Sequence, residues 1–254
     1  MSRQVETLPV QYFHGQDGLR LAWRETGQGR PLVLIHGFFS TATVNWIRYG
    51  HAREIAAQGF RVIMPDLRAH GDSDKPHDDA AYPPDVLASD GLALIEVLGL
   101  DDYDLGGYSL GGRTVVRMMV RGARPRRAIV SGMGRDAIVD TAGRGAFFRK
   151  VLTNLGSFRM GTPEWRSEAF LKTVGGDPVA LLKVMESSVD TGLDELAAIM
   201  IPTRVLVGRD DEEHASGPAL AEALGRGSFE PLPGNHMSAV ADPALGRAIA
   251  AFLA

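Results

Sequence analysis

The chain of 254 residues contains no cysteine, which excludes a disulfide framework, a thiolate metal site and a cysteine nucleophile. Nucleophilic chemistry, if there is any, falls to a serine or a carboxylate. A basic excess is missing too: 27 Lys and Arg face 31 Asp and Glu, for a formal net charge of −4. The phosphate-neutralising charge of a nucleic-acid binder is therefore absent, and no nucleic-acid partner is expected. No run approaches the roughly 18 consecutive apolar residues of a membrane span, so no membrane partner is expected either. The stretch from Met1 to Gly15 has no basic segment followed by an apolar one; no secretory leader is expected, and the expected compartment is the cytoplasm.

What is present is ordinary for a globular chain: 44% apolar and 23% charged residues, in a length that suits an α/β domain with a substantial core. Alternating apolar positions predict a hairpin from Val10 to His14 and Leu19 to Glu25. Short apolar runs then alternate with helical stretches. PLVLIHG (31–37) and FRVIMPD (60–66) read as buried strands flanking a helix from Val44 to Gln58. The pattern repeats with a helix from Asp85 to Leu98, a strand from Tyr103 to Tyr108, a helix from Leu110 to Arg121 and a strand from Ala128 to Ser131. After a long interval come TRVLVG (203–208) as a strand, a helix from Gly217 to Leu224, a strand from Ser228 to Pro231 and a helix from Pro243 to Leu253. Eight strands in this alternation predict a mostly parallel sheet with helices on both faces, because parallel strands need helix-length crossovers.

The stretch 134–200 breaks the alternation. It holds no convincing strand and reads as amphipathic helices carrying Phe147, Phe148, Leu152, Phe158, Met160, Trp165, Phe170 and Met185. It is expected to be a helical cap inserted into a core made of 1–133 and 201–254. Placed where a strand leaves the sheet, it would act as a lid over a pocket.

Residues 107–111 read Gly-Tyr-Ser-Leu-Gly, a G-x-S-x-G between a predicted strand and a predicted helix. Thirty glycines and 13 serines would produce such a match by chance in roughly one chain of this composition in five. The setting makes it more specific. An abrupt strand-to-helix turn strains the backbone at the serine and brings strand and helix together, so Gly107 and Gly111 are where a Cβ is least tolerable. Ser109 is the candidate nucleophile. The Leu110 amide, at the start of the helix, is a candidate oxyanion donor.

With these residues in place the chain resembles the α/β-hydrolase fold superfamily over nearly its whole length. His36-Gly37-Phe38-Phe39 resembles the family's oxyanion loop, which implies Phe38 as the second amide donor. Asp66-Leu67-Arg68-Ala69-His70-Gly71-Asp72-Ser73 resembles a loop-ordering turn of the family, with Ala69 where glycine is usual. The resemblance implies the chain order serine, acid, histidine. Only His214 and His236 follow Ser109. His214 shares its loop with the acid candidates, so His236, in Pro233-Gly234-Asn235-His236-Met237, is the expected base. Val207-Gly208-Arg209-Asp210-Asp211 points to Asp211 as the acid, with Asp210 and Asp136 as rivals.

The expected activity is that of a cofactor-free, metal-free serine hydrolase on a small-molecule carboxylic ester or lactone, or on a diketone carbon–carbon bond cut by the same triad. Relatives that use a carboxylate nucleophile, such as epoxide hydrolases, place aspartate where this chain has Ser109. Tyr108, Phe147 and Trp165 are expected to contact substrate, with Trp46 beneath them. Two alternatives remain open. The segment Gly107 to Arg113 with His36-Gly37-Phe38 is similar to 2-succinyl-6-hydroxy-2,4-cyclohexadiene-1-carboxylate synthase, a lyase that eliminates pyruvate, where Arg113 would bind a carboxylate. The other is a non-catalytic ligand-binding member of the fold.

Overall fold

The computed structural model describes residues 7–254, with the side chains of all of these but residues 142–144; the first six residues, read above as part of a leaderless start, lie outside it. Strands β1 (Gln11–His14) and β2 (Arg20–Thr26) form the predicted antiparallel hairpin, Phe13 standing opposite Leu21. β3 (Arg30–Ile35) and β4 (Phe60–Pro65) run parallel. Between them the sequence predicts one helix. The structure divides it into a wide turn of helix at Thr43–Ile47 and α1 (His51–Ala56), because Gly50 sits at φ +84°, outside the helical region.

The βα alternation continues as predicted through α2 (Val86–Val97), β5 (Asp104–Tyr108), α3 (Leu110–Val120) and β6 (Ala128–Ser131). Only helices follow for some seventy residues: α4 (Arg135–Val139), α5 (Thr141–Thr153), α6 (Pro163–Thr173), α7 (Pro178–Glu186) and α8 (Leu193–Ala197). Thr162 and Asp177 cap α6 and α7 with side-chain oxygens and are each followed by proline at the first helical position, so both starts are written locally. The chain then returns through β7 (Thr203–Gly208), α9 (Gly217–Ala223), β8 (Gly227–Leu232), the single turn α10 (His236–Ala239) and α11 (Pro243–Leu253).

The eight strands make one sheet in the order β1-β2-β4-β3-β5-β6-β7-β8, antiparallel only where β2 meets β1 and β4. Successive strand residues point to opposite faces. Val33 and Ile35 pack with Val115 and Met118 of α3, Leu94 of α2 and Leu220 of α9. Leu32 and Leu34 pack on the other face with Ile55 of α1 and Ile249 and Leu253 of α11. Each such burial contributes roughly 1.5–3 kcal/mol, so both faces of the central strands are held by their helices. Parallel pairing brings the carboxyl ends of β3 to β8 to one edge: Ile35 lies beside Gly107, Tyr108 beside Ser131, and Gly208 beside Leu232. Loops leaving that edge meet one another. Among the described residues no helix is long and apolar enough to cross a membrane.

Candidate active site

Ser109 occupies the step between β5 and α3 at φ +55°, ψ −118°, a conformation costly for a residue with a Cβ. The turn closes because its neighbours lack one. A Cβ on Gly107 would lie 2.3 Å from the Gly111 carbonyl, and one on Gly111 would lie 2.1 Å from the Ile35 oxygen. The Ser109 amide donates to the Ser131 carbonyl at 2.7 Å, fastening the bend to β6. Its hydroxyl is thereby raised above the sheet edge.

His236 opens α10. Asn235 caps that turn by accepting from the amides of Met237 and Ser238, which fixes the backbone from which the imidazole projects. Asp211 lies three residues past β7; its Oδ1 accepts from the Glu213 amide at 3.1 Å. Its Oδ2 is 2.8 Å from His236 Nδ1, and His236 Nε2 is 3.1 Å from Ser109 Oγ. A carboxylate can only accept, so Nδ1 carries the proton and the Nε2 lone pair faces the serine hydroxyl. The Asp211 side chain is 1% exposed and that of His236 25%, leaving the imidazole edge open to a ligand. The other candidates lie elsewhere. Asp210 is exposed, Asp136 is exposed and paired with Arg135 at 3.0 Å, and the His214 ring packs on Phe229.

The loop after β3 lies against this turn: a Cβ on Gly37 would come within 3.3 Å of Ser109 Cβ, and the Gly37 amide donates to the buried Asn45 Oδ1 at 3.0 Å. No hydrogen bond among the described residues engages the amide of Phe38 or of Leu110, so both are available to an incoming oxygen.

A pocket open to solvent lies beside Ser109, lined by Phe38, Leu110, Arg113, Met133, Thr141, Gly145, Phe148, Val184, Met185 and Ser188. Its walls come from α3, the end of β6, α5 and α7. None of the three side chains expected to contact substrate is among them. Tyr108 belongs to the opposite face of the sheet, the face of α1 and α11, because the residue before the turn points away from the serine. Trp46 is fully buried on that same face, so it too is remote from the cavity. Phe147 stands behind Phe148, ring to ring at 5.3 Å. Trp165 is partly buried on α6, a helix that contributes nothing to the lining. Phe148 takes the place expected for its neighbour, its ring meeting Phe38 at 5.1 Å and Phe39 at 5.3 Å. Met133 was legible in principle from its position just past a strand's carboxyl end, and Phe148 and Met185 from their place among the large apolar residues of the cap; Val184 and Ser188 carry no such signal.

A second polar cluster surrounds the turn 66–73. Asp66 accepts from the amides of Ala42 and Asp72 and from Arg24 Nη1, while Ser73 Oγ donates to the Asp66 carbonyl at 2.6 Å and accepts from the Ala22 amide at 2.9 Å. Arg68 grips Asp90 through two nitrogens at 2.8 and 2.9 Å. His36 Nδ1 donates to the Gly37 carbonyl and its Nε2 accepts from the Leu67 amide. Burial lowers the pKa of His36, and burial with the adjacent His36 lowers that of His70 further, so both rings are neutral. These residues tie the loops after β3 and β4 together, as expected of this turn. Among the described residues no group of three histidine, aspartate or glutamate side chains could hold a metal ion.

The comparisons with known proteins agree with this architecture. A family model described as alpha/beta hydrolase fold matches residues 30–184. The chain belongs to that family of hydrolases. The AB hydrolase superfamily protein YisY of Bacillus subtilis is 29% identical over 223 residues, covering 79% of this chain and 81% of that one. A 2-hydroxymuconate semialdehyde hydrolase of a Pseudomonas species is 28% identical over 192 residues, covering 73% of this chain and 63% of that one. A solved structure of a thermophilic esterase from Thermogutta terrifontis superposes with a TM-score of 0.77 at 25% identity, over 96% of this chain and 98% of that one.

Proposed function

We propose that this protein is a serine hydrolase that cleaves a carboxylic ester or lactone of a small, largely apolar molecule through an acyl-enzyme. The observation that carries the reading is the line from Asp211 Oδ2 through His236 to Ser109 Oγ, at 2.8 and 3.1 Å, ending at an apolar cavity. His236 Nε2 takes the proton from Ser109 as Oγ attacks the acyl carbonyl. The amides of Phe38 and Leu110 receive the oxygen as it becomes an oxyanion. Asp211 holds the imidazole tautomer and stabilises the imidazolium, which then protonates the leaving alkoxide; water activated by the same imidazole releases the acid. The helices between β6 and β7 act as the cap, since α5 and α7 supply Phe148, Val184 and Met185 to the cavity.

The similarity to an esterase structure and to a semialdehyde hydrolase supports hydrolysis, and the second keeps carbon–carbon bond cleavage within reach of the same residues. The lyase reading has one observation in its favour: Arg113 lines the cavity. The test is a panel of p-nitrophenyl esters, lactones and diketones run with a pyruvate assay on wild type and Ser109→Ala. Ester turnover and covalent labelling by an organophosphonate are expected in wild type and should fall by about 10⁴-fold or more in Ser109→Ala. Labelling that survives the substitution, or pyruvate release as the only product, overturns the reading.

A further inference from the structure

The residue before the nucleophile has an interaction that neither the hydrolase mechanism nor substrate binding uses. Tyr108 is 3% exposed and faces away from the cavity. Its hydroxyl nevertheless donates to the backbone carbonyl of His236 at 2.6 Å, and its ring lies 5.3 Å from the imidazole ring, centroid to centroid. That carbonyl is available because α10 is a single turn. In a longer helix it would accept from the amide four residues on, but the Val240 amide turns instead to the Ser238 carbonyl. The tyrosine hydroxyl takes the place of the missing amide.

The ring itself has little freedom. Gly132, at φ +63°, passes so close behind it that a Cβ there would stand 2.8 Å from Tyr108 Cζ. The phenol is thus held between the backbone leaving β6 and the imidazole of the loop after β8. Because Tyr108 and Ser109 are consecutive, the end of β5 that carries the hydroxyl nucleophile also carries the tether of its partner histidine, 128 residues away in the chain.

We propose that Tyr108 is a positioning residue that fixes His236 over Ser109 through its hydroxyl. This rests on the triad reading above. Asp211 orients the imidazole through its ring nitrogen; Tyr108 fixes the backbone from which the ring hangs, so each restrains a motion the other leaves free. A displacement of about 1 Å between reacting groups is enough to cost up to about a hundredfold in rate.

The experiment is steady-state hydrolysis of a p-nitrophenyl ester by wild type, Tyr108→Phe and Tyr108→Leu. The Phe substitution is then repeated on a His236→Ala background, with thermal melts of every variant and Ser109→Ala as control. Tyr108→Phe keeps the ring and removes only the hydroxyl, and is expected to lower kcat about tenfold with KM changed by less than about twofold. Tyr108→Leu should lose little more. In His236→Ala the same Phe substitution should leave the residual rate within about twofold, because no imidazole remains to be placed. Wild-type kcat in Tyr108→Phe overturns the proposal. So does a raised KM at constant kcat, which would mark a substrate contact, or an equal loss on the His236→Ala background, which would mark general loosening. Turnover that survives in Ser109→Ala overturns the triad reading itself, a result distinct from any of these.

Discussion

Two clusters containing aspartate, histidine and serine sit at the same edge of the sheet, and residue types alone do not separate them. One is Asp66, Ser73 and His36 with Arg24 and His70; the other is Asp211, His236 and Ser109. In the first, the polar atoms of Asp66, Ser73 and His36 are consumed by backbone and by Arg24, and only His70 Nε2 is left buried without a hydrogen-bond partner among those five side chains. Asp66 receives two amides and an arginine, Ser73 both donates to and accepts from main chain, and His36 is engaged at both nitrogens. All of these side chains are nearly or fully buried. In the second, the hydrogen-bond chain runs from one side chain to the next and ends at a half-buried serine that lines a cavity. A group whose bonds are all spent on the fold has nothing left for a substrate. The difference between scaffold and site is where the last donor points.

The largest expected effect tests the second cluster. Asp211→Asn should reduce kcat/KM for an ester by about 10⁴-fold, since the amide permits the wrong imidazole tautomer. Its melting temperature should hardly move, because asparagine can still accept from the Glu213 amide. Steady-state kinetics beside a thermal melt checks both halves; a large stability loss would erase the contrast.

The converse substitution belongs to the first cluster. Arg24→Met leaves Asp66, whose side chain is 1% exposed, without its cation and should cost about 3–5 kcal/mol of stability. Per folded molecule, ester turnover should stay within about twofold of wild type. Urea denaturation gives the first number and kinetics below the transition gives the second.

A smaller effect depends on pH. Burial holds His36, His51 and His70 below the ordinary histidine pKa in the fold, whereas the unfolded chain protonates them near 6.5. The unfolded state therefore binds more protons below that value. Stability should be complete above about pH 6.5 and decline as pH falls toward the folded values, by up to about 1.4 kcal/mol per pH unit for each histidine. His70→Phe should make the decline of melting temperature with acidification shallower. An unchanged slope would mean that His70 accepts its proton within the fold.

The smallest effect concerns strain. Ala69 and Ser109 both hold positive φ, at +67° and +55°, one in each cluster. Ala69→Gly should stabilise the protein by about 1 kcal/mol and leave turnover unchanged, because the strain there serves only the loop.

The fold was legible because burial on both sheet faces writes continuous apolar runs. TRVLVG (203–208) and the strand from Ala128 to Ser131 coincide with β7 and β6 to the residue. The turn at Ser109 was legible for a related reason, since glycine at 107 and 111 answers steric demands that act within a few residues. The split at Gly50 was missed because apolar periodicity on either side of one left-handed residue looks continuous.

The sequence by itself determined the alternation of strands and helices, the strained serine and a short set of partners for it, all features whose physical cause is local or repeats along the chain. Only the tertiary structure decided that Asp211 rather than Asp210 or Asp136 faces His236, and that Tyr108 and Trp46 lie beneath the sheet. The same holds for Phe148, Val184 and Met185, rather than Phe147 and Trp165, as walls of the cavity. Those outcomes turn on how one loop bends and how α5 and α7 pack over distant strands, where a shift of one residue exchanges an inward side chain for an outward one.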